Sequence, residues 1–282
     1  MKRTSQEPVL EFEGLGTHWT VELLDTAKPL PRDLAHRLHD AVTLFDDTYS
    51  RFKSSSLVGQ LNANGILERP PQELLDMFAF AHTMYEKTDG TFDISVGAML
   101  QAAGYGATVQ KSRHTKTFWK EVEYNSRRIS LPPETAIDLG GLGKGWLLDR
   151  LALLLERTGY PYYLIDAGGD IVISAAQPTS LELRHPYDET IAIDKTTLKR
   201  GSLAISSTTK RRWVHGGKTY HPVIDPLTKR PSANGVVAVY VKGQTGLIAD
   251  TLATVLLLRP DAKEQIEKTF DIKARIVRED QL

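Results

Sequence analysis

The sequence predicts an α+β fold: mixed, largely antiparallel sheets packed with helices, without a strict β-α-β alternation. Three observations predict it. Strand-like segments come in hairpins, as where Tyr162 to Asp166 and Ile171 to Ser174 flank the turn signal Ala167-Gly-Gly-Asp170. Helical periodicity falls between groups of strands instead of after each one. No repeat, low-complexity tract or convincing linker interrupts the chain, so residues 1–282 are expected to form a single domain.

In chain order, His18 to Leu24 alternates like a strand. Pro31 to Tyr49 spaces Leu34, Leu38, Ala41, Val42 and Phe45 as one helical face, with Pro near its start. Ser50-Arg-Phe52 and the serines Ser54 to Ser56 read as a loop, Pro71 to Lys87 as a second helix, and Thr88 to Asp93 as a turn. Residues 101–135 are polar and read as irregular. Trp146 to Arg157 is a strongly apolar helix that Gly159 ends. Val236 to Val241 is a strand, Ala249 to Leu258 and Ala262 to Phe270 are helices, and Ile272 to Arg278 closes the chain as a strand.

Composition excludes several classes. Lys plus Arg and Asp plus Glu number 35 each, for a net charge of zero. That offers no electrostatic case for a nucleic-acid or membrane-surface protein. There is no cysteine, which removes disulfides, thiolate metal sites and a cysteine nucleophile together. Met1 to Glu13 is polar and has neither the apolar core of a signal peptide nor a lipobox cysteine, and no run is long enough for a membrane span. The expected location is cytoplasmic as written, or periplasmic if an export signal was removed.

Two distant segments carry the chemistry: the glycine-rich run Asp138-Leu-Gly-Gly-Leu-Gly-Lys-Gly-Trp146, and Ala249-Asp-Thr-Leu-Ala-Thr254 at the start of an apolar helix. The run is not a P-loop, because Gly145 and not Ser or Thr follows Lys144, and it lacks the dinucleotide G-x-G-x-x-G spacing. It does lead glycines into a helix start, where free N–H groups and the helix dipole bind anions. A tight turn with close helix packing is the alternative. Asp250 and Thr254, at i and i+4, share one helical face. They are hard oxygen donors of the kind that hold magnesium beside a phosphorylated ligand, which points to chemistry on a nucleotide. The alternative is a helix cap and a hydroxyl bonded back to its own helix.

Asp93 could accept from a ligand ring or ribose, or close an Asx turn. His221 and Asp225 lie among prolines in a stiff loop, suited to positioning a base or simply to a polar surface. Phe52 and Trp146 could stack on a flat heteroaromatic ring, or be core. The histidines show no H-x-x-x-H or H-E-x-x-H spacing, against zinc, and G-x-S-x-G is absent, against a serine hydrolase.

Taken together these segments resemble the FAD:protein FMN transferase family (the ApbE family), and the likeness covers most of the chain. It includes Gly16-Thr-His-Trp19, Ser50-Arg-Phe52, Ser56-Leu57, Leu61-Asn62, Asp89-Gly-Thr-Phe-Asp-Ile-Ser-Val-Gly97, Asp138 to Gly145 with Asp149, Ala167-Gly-Gly-Asp170, Ile224-Asp-Pro226 and Ala249 to Thr254. Ser95 stands where the family pattern has Thr. The resemblance implies an ApbE-like fold, FAD as substrate and Mg2+ as cofactor. It implies transfer of FMN to a Thr or Ser hydroxyl of an acceptor protein, with release of AMP. It implies metal ligation by Asp250, Thr254 and the main-chain oxygen of Gly143. It implies flavin or adenine contacts from Phe52, Thr91, Phe92, Asp93, Gly140, Trp146 and Ile224. Lys144 is a further candidate for neutralising phosphate charge, and His221 for the general base.

Two departures bear on catalysis. The family's His three residues before the Asp of I-D-P is Pro222 here, with His221 one place earlier, and its A-T-S-G is Ser206-Ser-Thr-Thr209. Many relatives are exported lipoproteins, which this sequence does not resemble. An FAD pyrophosphatase giving FMN and AMP, and a flavin-binding protein without catalysis, are the competing readings.

Overall fold

The computed structural model describes residues 9–26, 29–106 and 119–282. β1 (Val9–Gly14) and β2 (Thr17–Leu23) form a hairpin whose turn residues Leu15 and Gly16 have φ of 52° and 67°. α1 (Arg32–Tyr49) follows Pro31, whose carbonyl accepts the Ala35 N–H at 2.9 Å. α2 (Leu57–Asn64) is capped by Ser56, whose Oγ accepts the Gly59 N–H at 2.8 Å, and ends at Gly65 with φ 72°. β3 (Ile66–Glu68), α3 (Gln72–Lys87), α4 (Gly97–Ala102), β4 (Glu123–Tyr124) and β5 (Arg128–Ser130) follow. Next come α5 (Gly143–Arg157), β6 (Tyr163–Ala167), β7 (Asp170–Arg184) and β8 (Ala192–Ser207). The short strands β9 (Trp213–His215), β10 (Lys218–Tyr220), β11 (Ile224–Asp225) and β12 (Arg230–Pro231) precede β13 (Val236–Gly243). α6 (Gly246–Leu258), α7 (Lys263–Phe270) and β14 (Lys273–Arg278) complete the chain.

The chain divides into two compact units, neither continuous in sequence. The first comprises the described residues up to Asp46, then Leu142–Ser207 and Val236–Leu282; the second comprises Asp47–Gly141 and Thr208–Gly235. Because the chain passes between them more than once, no single linker marks the division.

The first unit is a seven-stranded sheet of order β1-β2-β6-β7-β8-β13-β14 in which each neighbouring pair is antiparallel. β13 is apolar at consecutive positions from Val236 to Val241 and buried at all of them, as a strand covered on both faces must be. α6 is apolar nearly all round and buried accordingly. A register shift between Ser174 and Thr179 lets the far half of the β7–β8 hairpin bring Leu181, Leu183 and Leu198 into one cluster with Leu203, Tyr240 and Val277.

The second unit holds α2, α3, α4, the three-stranded antiparallel sheet β3-β5-β4, and the ladders β9–β10 and β11–β12. Leu61, Leu74, Met77, Phe78, Met84, Ile94, Ile129 and Ile137 are buried within it. Gly59 is required inside α2, since a Cβ there would lie 2.1 Å from the Lys53 carbonyl oxygen.

The α+β expectation holds, and several boundaries are corrected. The helix expected from Trp146 begins at Gly143, and that from Ala249 begins at Gly246. In both, glycines occupy the first helical turn, where their missing side chains let two helix starts meet. The strand expected over Ile171 to Ser174 continues to Arg184 and pairs with β8, a long polar strand outside the expected set. The helix over residues 71–87 is the third, because α2 precedes it. The region 101–135 contains β4 and β5, while residues 107–118 of it lie outside the described residues. So does the start of the N-terminal segment read for an export signal. Among the described residues no helix is long and apolar enough to cross a membrane.

Candidate functional site

In the first unit, α5 and α6 begin against one another. A Cβ on Gly145 would lie 2.4 Å from the Gly246 carbonyl oxygen, and one on Gly246 would lie 2.9 Å from that of Gly145. Orphan N–H groups of each helix start are capped by an aspartate from the first two turns of the other. Asp149 of α5 accepts from Gly246 N at 2.7 Å and Leu247 N at 2.9 Å, and Asp250 of α6 accepts from Gly145 N at 2.9 Å. Carboxylates at helix N-termini are favoured by the dipole. Burial pushes the Asp149 carboxyl above its ordinary range, and the two backbone N–H bonds oppose that shift.

Thr254 lies one turn beyond Asp250 on α6. Its Oγ1 is 3.0 Å from Ser206 Oγ of β8 and 3.4 Å from the Asp250 carbonyl, so the contact across to the sheet is tighter than the one back to its own helix. Gly143 is buried as the first residue of α5. Lys144 Nζ sits 2.5 Å from Asp170 Oδ2, and the other Asp170 oxygen accepts Ile205 N at 2.8 Å. Asp170 is almost fully buried, so the ion pair ties the first turn of α5 to β7 and β8. Trp146 is half-buried on the same turn, its N–H donating to the Leu142 carbonyl at 2.9 Å.

The candidate oxygen donors of this unit are the Asp250 carboxylate, the Thr254 hydroxyl and the Gly143 carbonyl at the start of α5. Among the described residues no three His, Cys, Asp or Glu side chains form a metal cage. That donor set does not suit structural zinc. It suits magnesium, which keeps waters and takes phosphate oxygens alongside one or two carboxylates.

In the second unit, the segment from Ala136 to Asp138 is held on both sides. Gly97 N donates to the Ala136 carbonyl at 2.9 Å and Asp138 N to the Ile94 carbonyl at 2.7 Å. The Asn62 amide brackets Ile137, accepting its N–H at 2.7 Å and donating to its carbonyl at 2.9 Å. Gly140 N donates to Asp138 Oδ1 at 2.6 Å, and a Cβ on Gly140 would meet that same oxygen at 2.7 Å. A Cβ on Gly141 would lie 3.1 Å from the Phe92 ring. The turn carrying Thr91, Phe92 and Asp93 has Asp89 and Gly90 at φ of 50° and 76°, with Phe92 N bonded to Thr88 Oγ1 at 3.0 Å. Asp93 Oδ1 accepts from both the N–H and the hydroxyl of Ser95, at 2.7 and 2.6 Å, so the Asx turn is present.

Phe52 is 57% exposed, and Arg51 is packed beside it. Ile224 is buried against Met99, Leu100 and Ala103, so its side chain is core. His221 is also buried. Its Nε2 lies 3.2 Å from the Ser232 carbonyl, which can only accept, so the proton of the neutral ring sits on Nε2 and the lone pair on Nδ1. Nδ1 has no hydrogen-bond partner. Burial pushes the imidazole below 6.5. Asp225 does not orient it: Asp225 Oδ1 caps its own turn through Leu227 N at 2.8 Å and Thr228 N at 3.3 Å.

The structure thus groups Gly143, Lys144, Trp146, Asp250 and Thr254 in the first unit. In the second it groups Thr91, Phe92, Asp93 and Gly140, with Phe52 joined through Arg51. The chain passes from one set to the other inside the glycine run, between Gly141 and Leu142. Sequence reasoning gave no role to Arg51, Asn62, Asp138, Asp149, Asp170 or Ser206. All lie within or next to segments already singled out, but their long-range pairings cross from 26 to 98 residues of chain, which spacing does not reveal.

Glycine-opened helix starts capped by each other's aspartates on an antiparallel sheet define the class: an α+β protein with a pair of interlocked helix starts. The chain belongs to the ApbE family, whose profile matches residues 15–276. It is similar to the FAD:protein FMN transferase of Salmonella typhimurium, 26% identical over 91% of this chain and 80% of that protein. The Escherichia coli K12 protein of the same name is 25% identical over 92% and 81%. The ApbE protein of Thermotoga maritima has a similar fold, with a TM-score of 0.86 at 25% identity over 98% of this chain and 95% of that one.

Proposed function

We propose that this protein is an FAD:protein FMN transferase that moves FMN from FAD to a Thr or Ser hydroxyl of an acceptor protein and releases AMP, with Mg2+ required. The observation that carries the reading is the reciprocal capping of α5 and α6, which fixes Gly143, Asp250 and Thr254, oxygen donors of the kind magnesium takes, on two helix starts packed against each other. Membership of the ApbE family and the name carried by the relatives support it. The acceptor oxygen forms a bond to the FMN phosphorus as the bond to the AMP oxygen breaks, and the hydroxyl proton passes to a base. Asp250, Thr254 and the Gly143 carbonyl would hold the magnesium, which neutralises charge on the phosphates and on the departing AMP. Lys144, shared with Asp170, keeps the first turn of α5 in place and adds positive charge there. Phe52, the Thr91–Asp93 turn, Gly140 and the main chain at Ile224 are the candidate flavin or adenine contacts of the second unit, and Trp146 is the candidate of the first.

The deciding assay incubates the protein with FAD, Mg2+ and an acceptor domain carrying a Thr, and reads intact mass and AMP. A gain of one FMN on the acceptor, lost with EDTA, is the expected result. AMP and FMN without acceptor labelling would make it a pyrophosphatase, and intact FAD a binding protein, provided a control enzyme labels the same acceptor.

His221 is the proposed base, acting through Nδ1. Its ring is neutral at pH 7 because burial holds it below 6.5. Activity is therefore expected to rise with pH along an acid limb centred below 6.5, and to be level from pH 7 upward. His221→Gln should remove that limb and cost about 10²–10⁴-fold in kcat. A His221→Gln profile matching the unmodified protein would dismiss the assignment. The same shift has a stability sign: the unfolded imidazole takes its proton first, so stability is fully present above 6.5 and is lost as pH falls from there through the lower folded value.

A further inference from the structure

We propose that Arg51 is a positioning residue for the flavin-facing part of the second unit, holding the Phe52 ring and the Asp138–Gly141 turn in their ligand-ready arrangement before FAD arrives. The proposal rests on the reading above that Phe52 and Gly140 touch FAD.

Arg51 makes contacts of three kinds with its one guanidinium. Nε pairs with Asp138 Oδ2, and the two side chains are 5% and 11% exposed. Nη2 donates to the Tyr105 carbonyl at 3.0 Å. Its carbon lies 4.2 Å from the centre of the Phe52 ring and 5.1 Å from that of Tyr105, whose rings meet edge to face at 5.6 Å. A cation over one face of an aromatic ring is attracted by its quadrupole and limits its rotation. Phe52 remains mostly exposed, so a ring fixed by Arg51 still has surface for a second flat group.

Asp138 transmits the rest. One of its oxygens receives Arg51 and the other the Gly140 N–H at 2.6 Å, so a single carboxylate links the arginine to the glycine turn. Without the arginine the carboxylate is buried without its countercharge, and the turn it closes loosens. Lysine does not substitute for arginine here. An ammonium has one charged centre, whereas the guanidinium pairs with Asp138, donates to Tyr105 and stacks on Phe52 at once. This also accounts for glycine at position 140: with Asp138 pinned, any Cβ would press on a carboxylate oxygen that cannot move aside.

The test compares the unmodified protein with Arg51→Lys, Arg51→Met and Asp138→Asn by amide hydrogen exchange without flavin, by FAD titration and by steady-state kinetics. Loss of the charge-assisted pair is expected to speed exchange at Gly140 and Gly141 and to weaken FAD binding by roughly tenfold each. The kinetic loss should fall on KM for FAD more than on kcat. Combining Arg51→Lys with Asp138→Asn should add little to either single change, because both remove the same link. Unchanged exchange over residues 138–141 in both arginine variants would overturn the clamp, whatever the flavin results. Faster exchange with unaltered FAD affinity would overturn its role in binding. If the unmodified protein takes up no FAD, the assignment of this face to flavin fails, and exchange still decides the clamp. Arg51→Lys keeps the charge and length, so a folded variant remains to be measured if Arg51→Met does not fold.

Discussion

Asp250→Asn is expected to lower Mg2+-dependent turnover of FAD by about 10²–10³-fold while the protein stays folded. The amide oxygen of asparagine can still accept the Gly145 N–H, which Asp250 accepts at 2.9 Å, so the link between α6 and α5 survives and only the charge is lost. Asp250→Ala removes both. It leaves a buried N–H without its acceptor, at a cost of about 1–3 kcal/mol, and so mixes a stability defect into the activity defect. The pair of variants separates the two roles of one residue. The check is turnover against magnesium concentration with a melting curve on each variant. Asn turning over FAD like the unmodified protein would remove Asp250 from the metal site and leave it a helix cap.

Gly145→Ala is expected to have the largest effect on stability, about 3 kcal/mol or more. The added Cβ would sit 2.4 Å from the Gly246 carbonyl oxygen, 2.7 Å from its carbon and 2.8 Å from Leu247 Cα. All three are backbone atoms at the start of α6, so no side-chain rotation relieves the contact and the two helix starts must separate. Gly159→Ala is the control. Gly159 has φ 88° with open space around its Cβ position, so alanine there meets only the conformational penalty of about 1–2 kcal/mol. Denaturant unfolding of both proteins checks the prediction. Equal losses would mean that backbone conformation, and not the approach of α5 to α6, is what requires glycine at 145.

The helical period of α1 and α3, the hairpin of β6 and β7, and the apolar runs of β13 and α6 were all legible, because each buries a face or a whole element that must be apolar to be buried. Elements that escaped notice share a different property. β8 alternates poorly and carries Lys195, Lys199 and Arg200 on exposed positions, so its strand state depends on pairing with β7 and β13. α2 and α4 are only 8 and 6 residues long, too short for a period to show. β3, β4 and β5 have 3, 2 and 3 residues and exist only as partners of one another.

The candidate site divides in the same way. The sequence by itself determined which residue types were available: glycines before an apolar helix, an aspartate and a threonine one turn apart, a phenylalanine beside an arginine, a histidine among prolines. These follow from composition and spacing, which are local. Only the tertiary structure decided what each one does. It set Lys144 on Asp170, aimed Asp149 and Asp250 at each other's helix starts, closed Asp225 on its own turn, and placed Arg51 on Asp138. The reason is physical: hydrogen bonds and ion pairs are made over about 3 Å of space, and the long-range partners, 26 to 105 positions apart, reach that distance only after the chain has folded.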